Sequence, residues 1–279
     1  MLPDIWRKTA TTIIIDQNSL RLLLNTNYTT PYQFRQDVRN TLWTKPTTGV
    51  IDAFIQANVV ILPKSYAKDF EVYCNLNSKP CPILEVLQAG DYNTQTIASD
   101  ADIRTDVPLY RIYHNGELSS ETTDILKEWR DDLVTFFLGC SFSFEYALQE
   151  AGIQVKHQTL GKNVPMYVTT IQTTSSETFY GPMVVSMRPI PEHQIEECID
   201  ITTPFTNNHG SPIHVGSPHE IGITNINQPD YGDSVPIEPG EVPVFWACGV
   251  TPQAVALLAK PELMITHSPG HMFVTDMLL

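Results

Sequence analysis

The feature that most limits what this chain can fold into lies near its C-terminal end, where a strand, a sharp turn, a helix and a second strand follow in close order. Residues 242–248 are apolar almost throughout, as a strand covered on both faces should be. Gly249 permits a sharp turn, Thr251 stands at an N-cap position, and Pro252 at the first helical position needs no hydrogen-bond donor. Ala254, Val255, Leu257 and Leu258 give the helix a buried face, Pro261 ends it, and residues 263–266 form a second buried strand. The segment reads as a β-α-β unit with parallel strands. In open α/β sheets ligands bind beyond the carboxyl ends of parallel strands. Cys248, Gly249, the free N–H groups of the helix start at Thr251, and His267 and His271 beyond the next strand would then share one rim.

Each of these residues has a plainer reading. A cysteine ending an apolar strand is an inert small hydrophobe unless the helix N-terminus lowers its pKa. Thr251 is a cap. His267 and His271 are four apart, but Pro269 and Gly270 interrupt the helix that a His-x-x-x-His metal face requires. Loop histidines at a strand end suit proton transfer, with structural hydrogen bonding as the alternative. Asp102, Arg104 and Asp106 alternate along an extended segment and so share a side, either as chemistry or as a solvated ion-pair strip. Arg188 ends a strand at 184–187, where a guanidinium can hold a carboxylate or simply meet solvent. His214 and His219 occupy a Pro- and Gly-rich loop at 211–222 with the character of a lid.

Earlier in the chain, residues 11–15 read as a strand, 19–24 as a helical turn, and 33–42 as an amphipathic helix with Phe34, Val38 and Leu42 on one side. A buried strand at 58–62 ends at Pro63, and a helix at 64–76 carries Tyr66, Phe70, Tyr73 and Cys74 on one face. Asn115-Gly116 between apolar-alternating runs predicts a type I′ hairpin. Beyond it, Asp124 is expected to cap a helix carrying Ile125, Leu126, Trp129, Leu133, Phe136 and Phe137, stopped by Gly139, with another helix at 144–150. Between 164 and 204, strands at 166–174 and 181–187, a helix at 191–198 and a strand at 199–203 suggest a small α+β unit.

With 17 basic against 31 acidic residues the net charge is −14, a surface that repels phosphate backbones, so nucleic acid is not an expected partner. A small anionic substrate is compatible with it if Arg and His cluster locally. Five cysteines without a CxxC pair suit reduced thiols in a cytoplasmic setting. No run is long and apolar enough for a membrane span, and no secretory signal pattern opens the sequence. No cofactor or metal is called for, and a homodimer stays open.

Five stretches resemble the bacterial hydro-lyase family related to D-glutamate cyclase: residues 102–108 (DIRTDVP), 139–145 (GCSFSFE), 181–191 (GPMVVSMRPIP), 240–253 (GEVPVFWACGVTPQ) and 265–276 (ITHSPGHMFVTD). The resemblance runs from about Gln56 onward. Gln56-Ala57-Asn58 is kept, and in the stretch before it Gly49 is kept, whereas Lys45 and Ala53 stand where glycines are usual. It implies an α/β fold in which a three-layer α/β domain (1–118 and 205–279) carries a smaller α+β domain (119–204) inserted within it. It also implies loss of water from a substrate such as D-glutamate, giving 5-oxo-D-proline.

Residue roles come from chemistry alone. Deprotonating an amine two pKa units above the working pH costs about 3 kcal/mol, and His267 or His271 could take that proton and return it to the leaving oxygen. The oxyanion would face the N–H groups at Gly249 to Thr251. Arg104 or Arg188 would hold the α-carboxylate, with His214 and Asp106 as further candidates and Cys248 shaping the pocket. A non-catalytic carboxylate-binding protein would use the same arginines. A metal-dependent hydrolase would use His267 and His271 with Asp276 or His214.

Overall fold

The computed structural model describes residues 28–51 and 53–279, so the pieces expected at 11–15 and 19–24 lie outside the described residues. The spine is β1 (Phe54–Pro63), buried at nine of ten positions. One edge of β1 pairs along most of its length with β5 (Leu133–Gly139) and, beyond it, β2 (Ile83–Val86). The other edge pairs first with β11 (Phe273–Leu278) and then with β10 (Met264–His267). Beyond β10 lie β3 (Tyr110–His114) and β4 (Glu117–Thr122), completing a seven-stranded sheet that is antiparallel throughout.

Helices α2 (Lys64–Leu76) and α6 (Val250–Ala259) cover one face of this sheet, with Phe70, Tyr73 and Val255 against Val60, Phe136 and Met264. The other face is closed by connections, Ile97, Ile103 and Ile125 meeting Val59, Ile61 and Phe137. Helix α1 (Pro31–Arg39) is capped by Thr30 and packs Phe34 and Val38 on Val274 of β11.

A second, four-stranded antiparallel sheet runs β6 (Met166–Gln172), β7 (Pro182–Pro191), β9 (Glu241–Ala247), β8 (His214–Val215) in spatial order. Its inner face meets α3 (Phe142–Glu150) and α5 (Ile195–Thr202) through Phe144, Leu148 and Cys198 on Val244 and Trp246. A short helix, α4 (Lys156–Thr159), follows α3. The two sheets meet through Cys140, Phe142, Val184, Cys248 and Met272.

The mixed α and β character, the 64–76 helix and the Asn-Gly hairpin are as expected; Asn115 and Gly116 have φ of 52° and 82°. Three expectations are corrected. The strands flanking α6 belong to different sheets, so they form no parallel β-α-β unit; α6 instead bridges the two sheets. Residues 133–139 are a strand, β5, and not part of a helix opened by Asp124. A strand buried on both faces is apolar at nearly every position, so it satisfies helical spacing by accident. Residues 199–202 continue α5, where the β-branched Ile199, Ile201 and Thr202 imitate a strand; the Thr202 hydroxyl donates to the Cys198 carbonyl at 2.9 Å.

β4 and β5, from the segment expected to form the inserted unit, belong to the larger sheet, and β8 and β9 pair in the smaller one. Among the described residues no helix is long and apolar enough to cross a membrane.

Candidate active site at the split edge of the central strand

The register of β1 contains the key irregularity. Thr266 stands opposite Val60 and Phe273 opposite Ala57, so the six residues 267–272 face only Asn58 and Val59. The surplus must leave the ladder, and it does so as the Ser268-Pro269-Gly270-His271 excursion. Departure of a partner strand would orphan a buried backbone N–H. The imidazole of His267 replaces it: Nδ1 accepts the Val59 N–H at 3.0 Å. The Gln253 amide of α6 closes on the same ring, its nitrogen 2.8 Å from Nδ1 and 3.2 Å from Nε2.

Helix α6 begins directly over this gap. Gly249 is pressed so closely on Asn58 that a Cβ there would lie 1.9 Å from the Asn58 Nδ2. Asn58 in turn donates to the Gly139 carbonyl at 2.8 Å, fixing the end of β5. Thr251 is not the cap it was expected to be. It lies inside the first turn and is buried, its hydroxyl accepting the Val184 N–H at 3.0 Å and donating to the Val184 carbonyl at 3.1 Å, which ties α6 to β7.

Around the excursion the electrostatics are specific. The Arg111 Nε, on β3 and one strand beyond β10, donates to Glu121 Oε1 at 2.7 Å, and the Ser268 hydroxyl donates to the same oxygen at 3.1 Å. The Arg111 hydrogen bond, opposed by burial, holds the Glu121 carboxyl below its usual range. His271 donates from Nδ1 to the Pro269 carbonyl at 3.0 Å. Burial lowers its pKa, while the carbonyls of Pro269, Ser268 and Thr44 and the Glu121 charge oppose that shift. The resting ring is therefore neutral, and the neighbouring carbonyls and Glu121 offset part of the burial that disfavours its imidazolium. His267 differs: burial drives it down to about 3, with His271 and Arg111 adding to the shift. Burial likewise pushes the Cys248 thiol up to about 11, outweighing the Val250 N–H, so Cys248 is a neutral thiol and the helix start does not activate it. Tyr231, raised chiefly by burial, lies close enough to Arg111 and Cys248 for both to act on its ionisation.

A second polar centre stands behind α3. Arg188 and Glu145, each 1% exposed, form a buried ion pair, with Arg188 Nε donating to Glu145 Oε1 at 3.0 Å. His157 Nε2 lies 3.2 Å from the same oxygen, and the Gln158 amide donates to Oε2 at 2.7 Å. Burial alone would raise the Glu145 pKa, but His157 and Arg188 bring it to about 2. Ser186 and Ser141 accept from two further Arg188 N–H groups at 3.0 and 3.1 Å. Arg188 is neither a surface residue nor an open carboxylate clamp.

Cys248, Gly249, Thr251, His267 and His271 are thus brought together, though by a split antiparallel edge instead of a parallel one. Arg104, Asp106 and His214 are not with them. Residues 102–106 form a turn under the opposite face of the sheet, not an extended strip: Arg104 is paired with Asp102 at 2.7 Å and stacked 3.4 Å over Tyr92. Asp106 is fully buried and paired with Arg39 at 2.7 Å. His214 lies on β8 of the other sheet, 2.8 Å from the Ser217 carbonyl. Asp276 is bound to Arg35 at 2.8 Å, and among the described residues no three His, Cys, Asp or Glu side chains gather as metal donors. Sequence reasoning missed Arg111, Asn58, Gln253 and Glu145. A lone Asn inside the apolar run 58–62 was the one available signal, since a buried amide needs a partner.

Residues 134–276 match the D-glutamate cyclase family. The "Putative hydro-lyase" of Geobacillus kaustophilus is 53% identical over 87% of this chain and 92% of its own length. That of Bacillus licheniformis is 54% identical over 91% of this chain and 97% of its own. The chain belongs to the D-glutamate cyclase family, among its bacterial members named as hydro-lyases. A nitrogen repressor-like protein from Methanococcus jannaschii aligns with 87% of this chain and 97% of its own at 8% identity, but its TM-score of 0.38 carries no argument.

Proposed function

We propose that the protein is a carbon–oxygen lyase that closes an amino-dicarboxylate such as D-glutamate to the lactam 5-oxo-D-proline with loss of water, by general acid–base catalysis. The observation that carries this reading is the split of the β1 edge, which sets a neutral, proton-accepting His271 beside Arg111 and Glu121 and ties its excursion to the start of α6.

In the reaction the substrate nitrogen attacks the side-chain carboxyl carbon, a C–N bond forms, and one C–O bond breaks. The two protons that turn the departing oxygen into water are the two the ammonium gives up. His271 takes the first, its imidazolium being supported by Glu121 and the neighbouring carbonyls, and returns it to the leaving oxygen. The Thr251 N–H is given to the Cys248 carbonyl at 2.9 Å and the Val250 N–H to the Cys248 sulfur, so of the helix start it is the Gly249 N–H that would face the oxyanion, a contribution of about 10²–10³ in rate for one well-placed donor. Arg111, instead of Arg104 or Arg188, draws the α-carboxylate. His267, with a pKa near 3, would need about 5 kcal/mol to hold a proton at pH 7, so it positions the backbone and does not shuttle protons.

The test is proton NMR of the protein incubated with D-glutamate, L-glutamate and both 5-oxoproline enantiomers. Conversion of D-glutamate above the protein-free rate, falling at least about a hundredfold in His271→Ala, is the expected result. Full activity in that variant would remove His271 from the chemistry, and no conversion of any of the four would refute the cyclase reading.

A further inference from the structure

A cleft of about 610 Å³ opens between residues 75–83, at the end of α2 and beyond, and residues 203–211. None of Asn58, Arg111, Cys248 or His271 lines it, so it is distinct from the candidate site at the split β1 edge. Its volume falls in the range typical of small-molecule sites, about 300–1,000 Å³.

The chemistry of the walls is selective. In a chain of net charge −14, no Asp or Glu lines this cleft, and Lys79 is its charged residue. The Lys79 ammonium donates to the Ser211 hydroxyl oxygen at 3.0 Å, which leaves the Ser211 proton and the other ammonium protons for a ligand. Burial lowers the Lys79 pKa, a cost that an anionic partner relieves. Ser78 and Thr206 add further hydroxyls.

His209 supplies the complement. It is 1% exposed yet lines the cleft, and its backbone is held at φ 80°, a left-handed conformation uncommon for a residue with a side chain. Its Nδ1 lies 2.8 Å from the Lys79 carbonyl, which can only accept, so Nδ1 carries the proton. Burial keeps the ring neutral, so Nε2 is a bare acceptor, and it has no partner among the described residues. A buried acceptor left this way is costly unless something donates to it. One backbone contact therefore sets a cation and an unsatisfied acceptor on the same cleft.

We propose that this cleft binds a small organic oxyanion that also bears a hydroxyl or amino group, the oxyanion on Lys79 and Ser211 and the donor on His209 Nε2. The site also abuts the end of β5. The Pro82 carbonyl accepts the Gly139 N–H at 2.9 Å, and the Asn208 amide donates to the Cys140 carbonyl at 3.3 Å. An occupied cleft thus leans on the same Gly139 that Asn58 holds from the β1 side.

Amide NMR shifts of the full chain test this without turnover, using malate, succinate and inorganic phosphate as probes. Malate should give saturable shifts at the Ser78, Lys79, Gly210 and Ser211 amides, weakened about tenfold or more in Lys79→Gln by loss of a charge-assisted hydrogen bond. The same shifts should persist in His271→Ala, which separates this site from the one at the split β1 edge. Succinate, lacking the hydroxyl, should bind several-fold more weakly than malate. Phosphate saturating the same amides more tightly than malate would identify phosphate monoesters as the oxyanion class. Overturning results are an absence of saturable shifts there with all three probes, binding indifferent to Lys79→Gln, or malate no tighter than succinate.

Discussion

Replacing Arg188 by Met removes the positive member of the buried pair while keeping much of its volume. Glu145 then stays 1% exposed with His157, Gln158 and Thr48 as its remaining polar neighbours. In the intact protein its carboxyl is held at about 2 against an ordinary 4.5, worth about 3 kcal/mol at neutral pH. Because the folded-state value is depressed, that stability is fully present above about pH 4.5 and disappears as pH falls toward 2. Without Arg188, His157 alone opposes the burial that raises the carboxyl, and the variant should be about 3–5 kcal/mol less stable at pH 7. The assay is urea unfolding followed by tryptophan fluorescence, since Trp246 lies 5.3 Å from the Arg188 guanidinium carbon. The penalty should shrink from pH 7 to pH 5 as Glu145 takes a proton, and adding Glu145→Leu should recover at least half of it. Other titrating groups cancel in the comparison with wild type. A penalty constant with pH, or a double variant worse than the single, would refute the claim that an uncompensated charge is what was left behind.

His267→Asn should lower stability at pH 7 by about 1–3 kcal/mol by leaving the Val59 N–H poorly partnered, read as a lowered urea midpoint. His267 is a base with a folded-state pKa near 3 against 6.5, so wild-type stability is complete above pH 6.5 and declines as pH falls toward 3. The variant should show a shallower decline between pH 6.5 and 5, and equal slopes would contradict this assignment. Gly249→Ala drives a methyl to 1.9 Å from the Asn58 amide and should cost about 1–3 kcal/mol, less in an Asn58→Gly background. Cys248, a buried thiol raised to about 11, should resist iodoacetamide in the folded protein, and Cys248→Ala should keep most of the turnover. Rapid alkylation with loss of activity would show instead that the helix start activates the Cys248 thiol.

Local signals determined a good deal of this protein before any contact was known. Pro63 ending an apolar run, the helical spacing of Phe70, Tyr73 and Cys74, and Asn115-Gly116 each act within a few residues, and each produced the expected element. The same locality drew the candidate site to the segment around Cys248, His267 and His271, because a glycine and a proline-interrupted pair of histidines mark where chain direction changes. Pairing between distant strands is set by tertiary structure instead. Nothing near residues 242–266 says that the two flanking strands join different sheets, nor near 133–139 that an apolar run is a central strand and not a helix. The roles of the titratable groups were beyond the sequence for the same reason. Arg111 reaches the excursion only because β3 lies beside β10, and Arg188 is withdrawn only because α3 delivers Glu145 to it. Burial and charge partners, which lower the pKa of His267 and His271 and raise that of Cys248, come from contacts far along the chain, and those exist only once the two sheets have packed.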